Sequence, residues 1–280
     1  MSGILSIFEA SDYTISTWLI LGATIQSLLV ASLPLNVALL PPITLLLFRF
    51  IRGYLIANNI LPNSVAKEVI LGRQTWQIPS EDNTVVAKPS SDSIVVLVLT
   101  ASWTHPNGRF SPGSQKVGEY FIDMWKDAAE NREKYGFLGN TPGLTTADDG
   151  VRQDTKGTTT VYLSYWKTLE GLHKFAHGNV HMQCQMWWDR TAMKEFPHIG
   201  VGHEVYEVPA GNWENVYHNF RPFGISNAEY PVSSKGNEAT EGEEGKTQWV
   251  NGLRDANGKN WKTMYSRMGR KAAFGVVKTA

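Results

Sequence analysis

The hydrophobic pattern divides the chain into unlike parts. From Tyr13 to Phe50 it is almost continuously apolar, with Arg49 as its only charge. The stretch Ile15–Pro34 has the ~20 residues that a helix needs to cross the hydrocarbon region of a bilayer. A second apolar run, "NVALLPPITLLLFRF", carries Pro41 and Pro42. Paired prolines remove two backbone donors and crowd the preceding turn, so this run is expected to be short, kinked or re-entrant. Residues 1–62 therefore read as a membrane anchor, a single helix or a helical hairpin. A cleavable signal peptide fits poorly, because "MSGILSIFEASD" has no basic residue and carries Glu9 and Asp12.

A polar connector, 63–92, follows, with a weak apolar segment at Val69, Ile70 and Leu71. "SIVVLVLTASW" (Ser93–Trp103) is a continuous β-branched run and predicts a buried strand. Val117, Phe121, Met124 and Ala128 then recur at helical spacing, predicting a helix from Gln115 to Tyr135 that stops at Gly136 and Gly139. Residues 140–157 read as a loop long enough to act as a lid. Thr158–Trp166 alternates as a strand. Thr168 is placed to cap a helix through "LEGLHKFAH", and a further helical piece covers Met182–Phe196. Ile199–Val208 and Trp213–Phe220 read as two strands joined by the tight turn "PAGN". This order predicts an α+β fold over residues 93–225, a ferredoxin-like split β-α-β plait whose last two strands form a hairpin. Such a sheet leaves one face open, and a second subunit closing it would give a dimeric α+β barrel. Residues 226–280 read as a polar linker, acidic at "SSKGNEATEGEEGK", with a C-terminal extension. Its basic end (Arg267, Arg270, Lys271) docks on the body or touches anionic lipid.

Charge narrows the partners. The 26 basic and 26 acidic residues balance to a formal +0, which removes the basic excess expected of a nucleic-acid binder. The single cysteine, Cys184, excludes an internal disulfide and a multi-thiolate zinc site. Arg49, Arg52 and Lys67 follow the apolar block and no basic residue precedes it, so the positive-inside rule keeps the C-terminal side cytosolic. An endomembrane such as the endoplasmic reticulum is the expected location.

The chemistry candidates are few. His173, His177 and His181 would align on one unbroken helix, but Gly178 and Asn179 interrupt it. "HEVYE" is not the HExxH metalloprotease pattern, and no nucleophile elbow, dinucleotide fingerprint or P-loop is present. Cys184 reads as an ordinary buried thiol. What remains is a polar set on an aromatic background. On the strand Ile199–Val208, His203 shares a face with Val201 and Val205, while Glu204 and Tyr206 share the other with Gly202. A histidine or carboxylate facing a half-closed apolar cavity suits a general base. Equally, these groups satisfy one another across the hairpin and fix its register.

One resemblance bears on that choice. Tyr165-Trp166, then Leu172, Phe175 and Ala176, then His181 followed by Trp187, then His203-Glu204 with Tyr206, and Tyr217 with Asn219 stand in an order and spacing similar to the antibiotic-biosynthesis-type monooxygenases, in their fungal, membrane-associated branch. The resemblance covers roughly the middle half of the chain. It implies an oxygenase with no flavin and no metal, in which an apolar terpenoid or polyketide substrate supplies the electrons to O₂. It further implies His203 or His181 as base, with Tyr206 and Asn219 as hydrogen-bond donors. Glu204 would orient a histidine or pair with Arg190, and Trp166, Trp187, Tyr217 and Phe175 would form the pocket wall. Alternatives on the same barrel are a haem enzyme using His181 or His198, a cyclase, isomerase or dehydratase, and a non-catalytic carrier of an apolar metabolite.

Overall fold

The computed structural model describes residue 13 and residues 15–80, 89–146, 157–233, 247–258 and 261–270. Most of the expected lid (140–157), nearly all of the acidic stretch at 233–246, Lys271 and the first 12 residues lie outside the described residues. The described residues form two compact units, one ending at Val69 and the other beginning at Ile70.

The first unit holds helices α1 (Ile15–Ser32) and α2 (Leu35–Ala57), joined by Leu33-Pro34. Both are long and apolar enough to cross a membrane, by length and composition. Of the short, kinked or re-entrant forms expected for the second run, the short one does not hold: it is a 23-residue helix that continues through Pro41 and Pro42. Pro34 starts it cleanly, its carbonyl accepting from the N–H groups of Val37 and Ala38.

The second unit opens with β1 (Ile70–Trp76), in the segment whose apolar character is weakest in sequence. There follow β2 (Ile94–Trp103), α3 (Ser114–Glu130), α4 (Arg132–Tyr135), β3 (Phe137–Asn140), β4 (Leu144–Thr146) and β5 (Thr158–Trp166). After these come α5 (Leu169–Ala176), α6 (Asn179–Trp187), a π-helical turn (Trp188–Ala192), α7 (Met193–Glu195) and β6 (Ile199–Val208). The chain ends with β7 (Tyr217–Phe220), β8 (Glu229–Ser233), β9 (Thr247–Asn251), β10 (Leu253–Asp255) and α8 (Met264–Arg267). Thr168 caps α5 as expected, its side chain accepting from Gly171 N at 3.0 Å.

The main sheet has the order β3-β5-β2-β6, with β4 also on β5, and every pairing is antiparallel. That is a ferredoxin-like plait, but assembled differently from the expectation. The strand pair β3 and β4 lies where sequence reading placed a turn and a loop. The expected hairpin between β6 and the following strand is absent: β7 pairs with β1, and β1 also pairs with β10, in a separate sheet of order β10-β1-β7. Side-chain amides explain the switch. Asn215 accepts from Trp76 N at 2.6 Å and donates to Trp76 O at 3.1 Å, so it copies a backbone ladder contact just before β7 begins. Asn219 repeats the device, accepting from Gly72 N at 2.8 Å. The "PAGN" turn forms, yet Gly211 N donates to Ser90 O and the chain leaves the main sheet there.

Strand parity sets up two cores. On the helix-covered face, Val95, Leu97, Ala101 and Trp103 of β2 pack with Val117, Phe121, Met124 and Ala128 of α3. Trp166, Leu172 and Phe175 complete that cluster. The opposite face packs Ile94, Leu138 and Tyr165 against Trp76, Trp213, Ile225 and Tyr230. This second core draws on residues from 63–92, 93–225 and 226–280 alike, with Ala228, Tyr230, Trp249 and Leu253 of the last segment packed into it. Arg132 fastens it, with Nη1 2.6 Å from Glu229 Oε2 and the guanidinium 3.8 Å over the Trp249 ring. Arg267 is buried and ion-paired to Glu214 at 2.6 Å, which assigns one basic residue of that end to docking.

Candidate active site

The register between β2 and β6 decides which side chains can meet. Leu99 lies opposite His203, Ala101 opposite Val201 and Leu97 opposite Val205. Because Leu97 and Ala101 belong to the helix-side core, His203 must face the helices too. There it meets His181 of α6, and the two imidazoles line one cavity of about 120 Å³. Val117, Phe121 and Met124 of α3 form one wall of it, and Trp187 and Trp188 another. The two indoles stand edge to face at 6.4 Å where α6 passes into the π-helical turn. Cys184 and Gln185 complete the α6 side, and the amide of Gln185 is held by Asp189 at 3.0 Å.

His181 is the buried half of the pair. Its Nδ1 is buried without a hydrogen-bond partner among the described residues. Desolvation pushes its pKa below the usual histidine value; the Ala176 carbonyl opposes this, and His203 and His177 add to it. A neutral imidazole in an apolar cavity is a competent base. His203, on the edge strand, is exposed. Burial pushes the Cys184 thiol up to about 11, so it stays protonated at neutral pH and is a poor nucleophile.

The structure sorts the other expected site residues by distance from this cavity. Trp187 lines it. Phe175 packs edge-on against the His181 ring at 5.8 Å, one layer behind. Trp166 is 0% exposed and stacks between Phe137 and Phe175, with Nε1 donating to Ser164 Oγ at 2.9 Å. It is a core residue and does not line the cavity. Glu204 and Tyr206 lie on the opposite face of β6, where the Tyr206 hydroxyl donates to the Glu204 carboxylate, and that bond holds the phenol pKa up. Glu204 therefore orients Tyr206 rather than a histidine. Tyr217 and Asn219 belong to the separate three-stranded sheet. Tyr217 is stacked on Phe220 with its pKa raised by burial, and the Asn219 side chain is engaged by Gly72 N.

Sequence reasoning missed Leu99, Met124, Trp188 and Val201 as cavity residues. The usable signal was parity: once Ala101 and Val95 face the helices, Leu99 must as well. The helix carrying His173 and His177 does end before Gly178, as expected, so the three histidines do not align. His177 ends α5 with Nδ1 2.8 Å from the His173 carbonyl oxygen, while His181 sits on the next helix.

Comparisons with known proteins agree with this domain. Residues 94–225 match the family model described as Monooxygenase af470-like. The curated protein Monooxygenase af470 of Aspergillus fumigatus is 29% identical over 269 residues, covering 96% of this chain and 92% of that protein. Among solved structures, an aldoxime dehydratase aligns with 68% of this chain at 9% identity and a TM-score of 0.36. This chain spans only 44% of that enzyme's length. A Bacillus cereus protein described as an antibiotic biosynthesis monooxygenase aligns with 42% of this chain and 93% of its own, at 17% identity and a TM-score of 0.22. The domain that builds the two-histidine cavity, residues 94–225, is thus the part of the chain that is similar to the af470-like monooxygenases.

Proposed function

We propose that this chain is a membrane-tethered monooxygenase of fungal secondary metabolism that uses His181 as general base on an apolar terpenoid or polyketide, without flavin or metal. The observation that carries this reading is His181 itself: a buried, desolvated imidazole with an unpartnered Nδ1, set beside His203 in a cavity walled by leucine, valine, methionine and aromatic side chains. A half-open cavity of about 120 Å³ takes roughly one ring, since an apolar cavity of about 150 Å³ accommodates benzene. The remainder of a larger substrate would lie along exposed Val201 and Val205.

The chemistry then needs only acid-base work and exclusion of water. His181 removes a proton from a methylene flanked by electron-withdrawing groups. The carbanion passes one electron to O₂, and the resulting radicals combine as a peroxide, which takes its proton back from His181. Loss of the second hydrogen with departure of water leaves a carbonyl. One methylene and one O₂ thus become one carbonyl and one water, with no external reductant. His203, at the rim, is placed to hydrogen-bond the developing oxyanion.

The tether is read from α1 and α2, with the catalytic domain cytosolic at the endoplasmic reticulum on the basic flank Arg49, Arg52 and Lys67. A second copy would cover the helix-free face around Val98, Val161 and Tyr206, closing a dimeric barrel. Deletion of the gene in its host, with profiling of the accumulated precursor, supplies the substrate. Turnover of that precursor by the purified protein under ¹⁸O₂ should place one ¹⁸O in the product. Absorbance should show neither a Soret nor a flavin band, and His181→Ala should lose at least a hundredfold in kcat. Product without ¹⁸O, or full turnover by a folded His181→Ala protein, would overturn the reading.

A further inference from the structure

In a regular α-helix each N–H donates to the carbonyl four residues earlier. Pro41 and Pro42 have no N–H, so α2 leaves the carbonyls of Val37 and Ala38 without those donors. Gln26 of α1 supplies a replacement at the second of them: its Nε2 donates to Ala38 O at 3.1 Å. Ala38 is 1% exposed, the buried point of a helix whose other side chains are largely exposed. Its methyl group lets the two backbones come close, as small residues do between membrane helices. The neighbouring Ser27 is also satisfied inside the unit, donating to Ala23 O at 2.8 Å.

In water neither the open carbonyl nor the glutamine amide would need the other, because solvent would serve both. In hydrocarbon each is costly alone and each is the other's remedy. The connection between the helices, Leu33-Pro34, is too short for anything but an antiparallel return. We propose that residues 15–57 insert into the bilayer as one closed hairpin, pinned by Gln26 at the carbonyl that Pro42 leaves open, with residues 13 and 58 on the same membrane face. This rests on the membrane reading above and gives the tether its topology.

The test uses the full chain reconstituted in liposomes, with Cys184→Ser as background. Carbonate washing comes first: release of the protein from the vesicles would overturn the membrane reading, and this proposal with it. If the protein is retained, single cysteines at Tyr13 and Asn58 are probed with an impermeant maleimide. Both should react equally before detergent is added, whereas protection of only one would overturn the hairpin. Spin labels at the same two positions should give one short distance. Gln26→Leu should shift the closed-to-open ratio by about three- to thirtyfold, the range expected for an interhelical hydrogen bond in a bilayer. In a Pro42→Ala background, where the restored N–H satisfies the Ala38 carbonyl within α2, Gln26→Leu should have little further effect on that ratio. No effect of Gln26→Leu, or an undiminished effect in the Pro42→Ala background, would overturn the clamp.

Discussion

Replacing Trp166 with phenylalanine separates a wall of the pocket from a beam of the core. The indole is fully buried, sits 4.9 Å from both the Phe137 and Phe175 rings, and donates one hydrogen bond to Ser164 Oγ. Phenylalanine keeps the stacking but removes two ring carbons, at about 0.8 kcal/mol apiece. It also removes a buried hydrogen bond of about 1 kcal/mol, while Ser164 Oγ keeps its long contact to the Leu97 carbonyl. The expected loss is roughly 2.5 kcal/mol, or about 5–10 °C in Tm for a domain of this size. Urea denaturation followed by near-ultraviolet circular dichroism measures the first quantity. Thermal melts measure the second, and product yield in the host, normalised to protein level, measures specific activity. Stability should fall and specific activity should stay within about threefold of wild type. An unchanged Tm with a tenfold loss of product would refute the placement of Trp166 behind the cavity.

Three further outcomes follow from the same geometry. The lowered pKa of His181 means that the unfolded chain takes up a proton near pH 6.5 which the folded chain refuses. Stability should therefore drop as pH falls from 6.5 to the folded pKa and level off below it, and His181→Asn should flatten that slope in melts between pH 4.5 and 7.5; parallel slopes would contradict it. Tyr206→Phe should cost under about 0.5 kcal/mol and leave turnover within about twofold, because Tyr206 is 51% exposed on the face away from the cavity; a tenfold loss would bring it into the chemistry. Gly200→Ala would put a Cβ 2.6 Å from Ser102 Oγ, so it should cost about 1–3 kcal/mol by denaturation, and Ser102→Gly should restore most of it.

How much of this was legible in the sequence depended on the range of the interactions. Strands β2, β5 and β6 and helix α3 announce themselves locally, through β-branched runs and a clear helical period. The pairing of His181 with His203 was also within reach, since both stood in the recognised motif and parity fixes the face of His203. The four-residue β3 has no alternation to read, and its Gly139 takes a φ of 145°, which looks like a breaker in sequence. β1 mixes Gly72, Arg73 and Gln74 with apolar residues because only part of it is buried. The strand after "PAGN" was legible as a strand but not by partner. A short turn favours a hairpin, and the amides of Asn215 and Asn219 overrule it from 139 and 147 residues away. Tyr206 and Glu204 were drawn toward the site by the family resemblance, although strand parity already put them on the face opposite His203.

The small sheet β10-β1-β7 has a temporal consequence. Gln74 pairs with both Tyr217 and Asp255, so β1 leaves the ribosome long before either neighbour exists. At about 5–20 residues per second, the wait for β10 is roughly 10–35 s. During it, one strand edge and the indole of Trp76 have no partner from that sheet, while the apolar helices ahead of them have already been made. Synthesis thus finishes the two apolar helices first and the last seam of this sheet much later, and the newborn chain is most vulnerable to stray strand pairing in between.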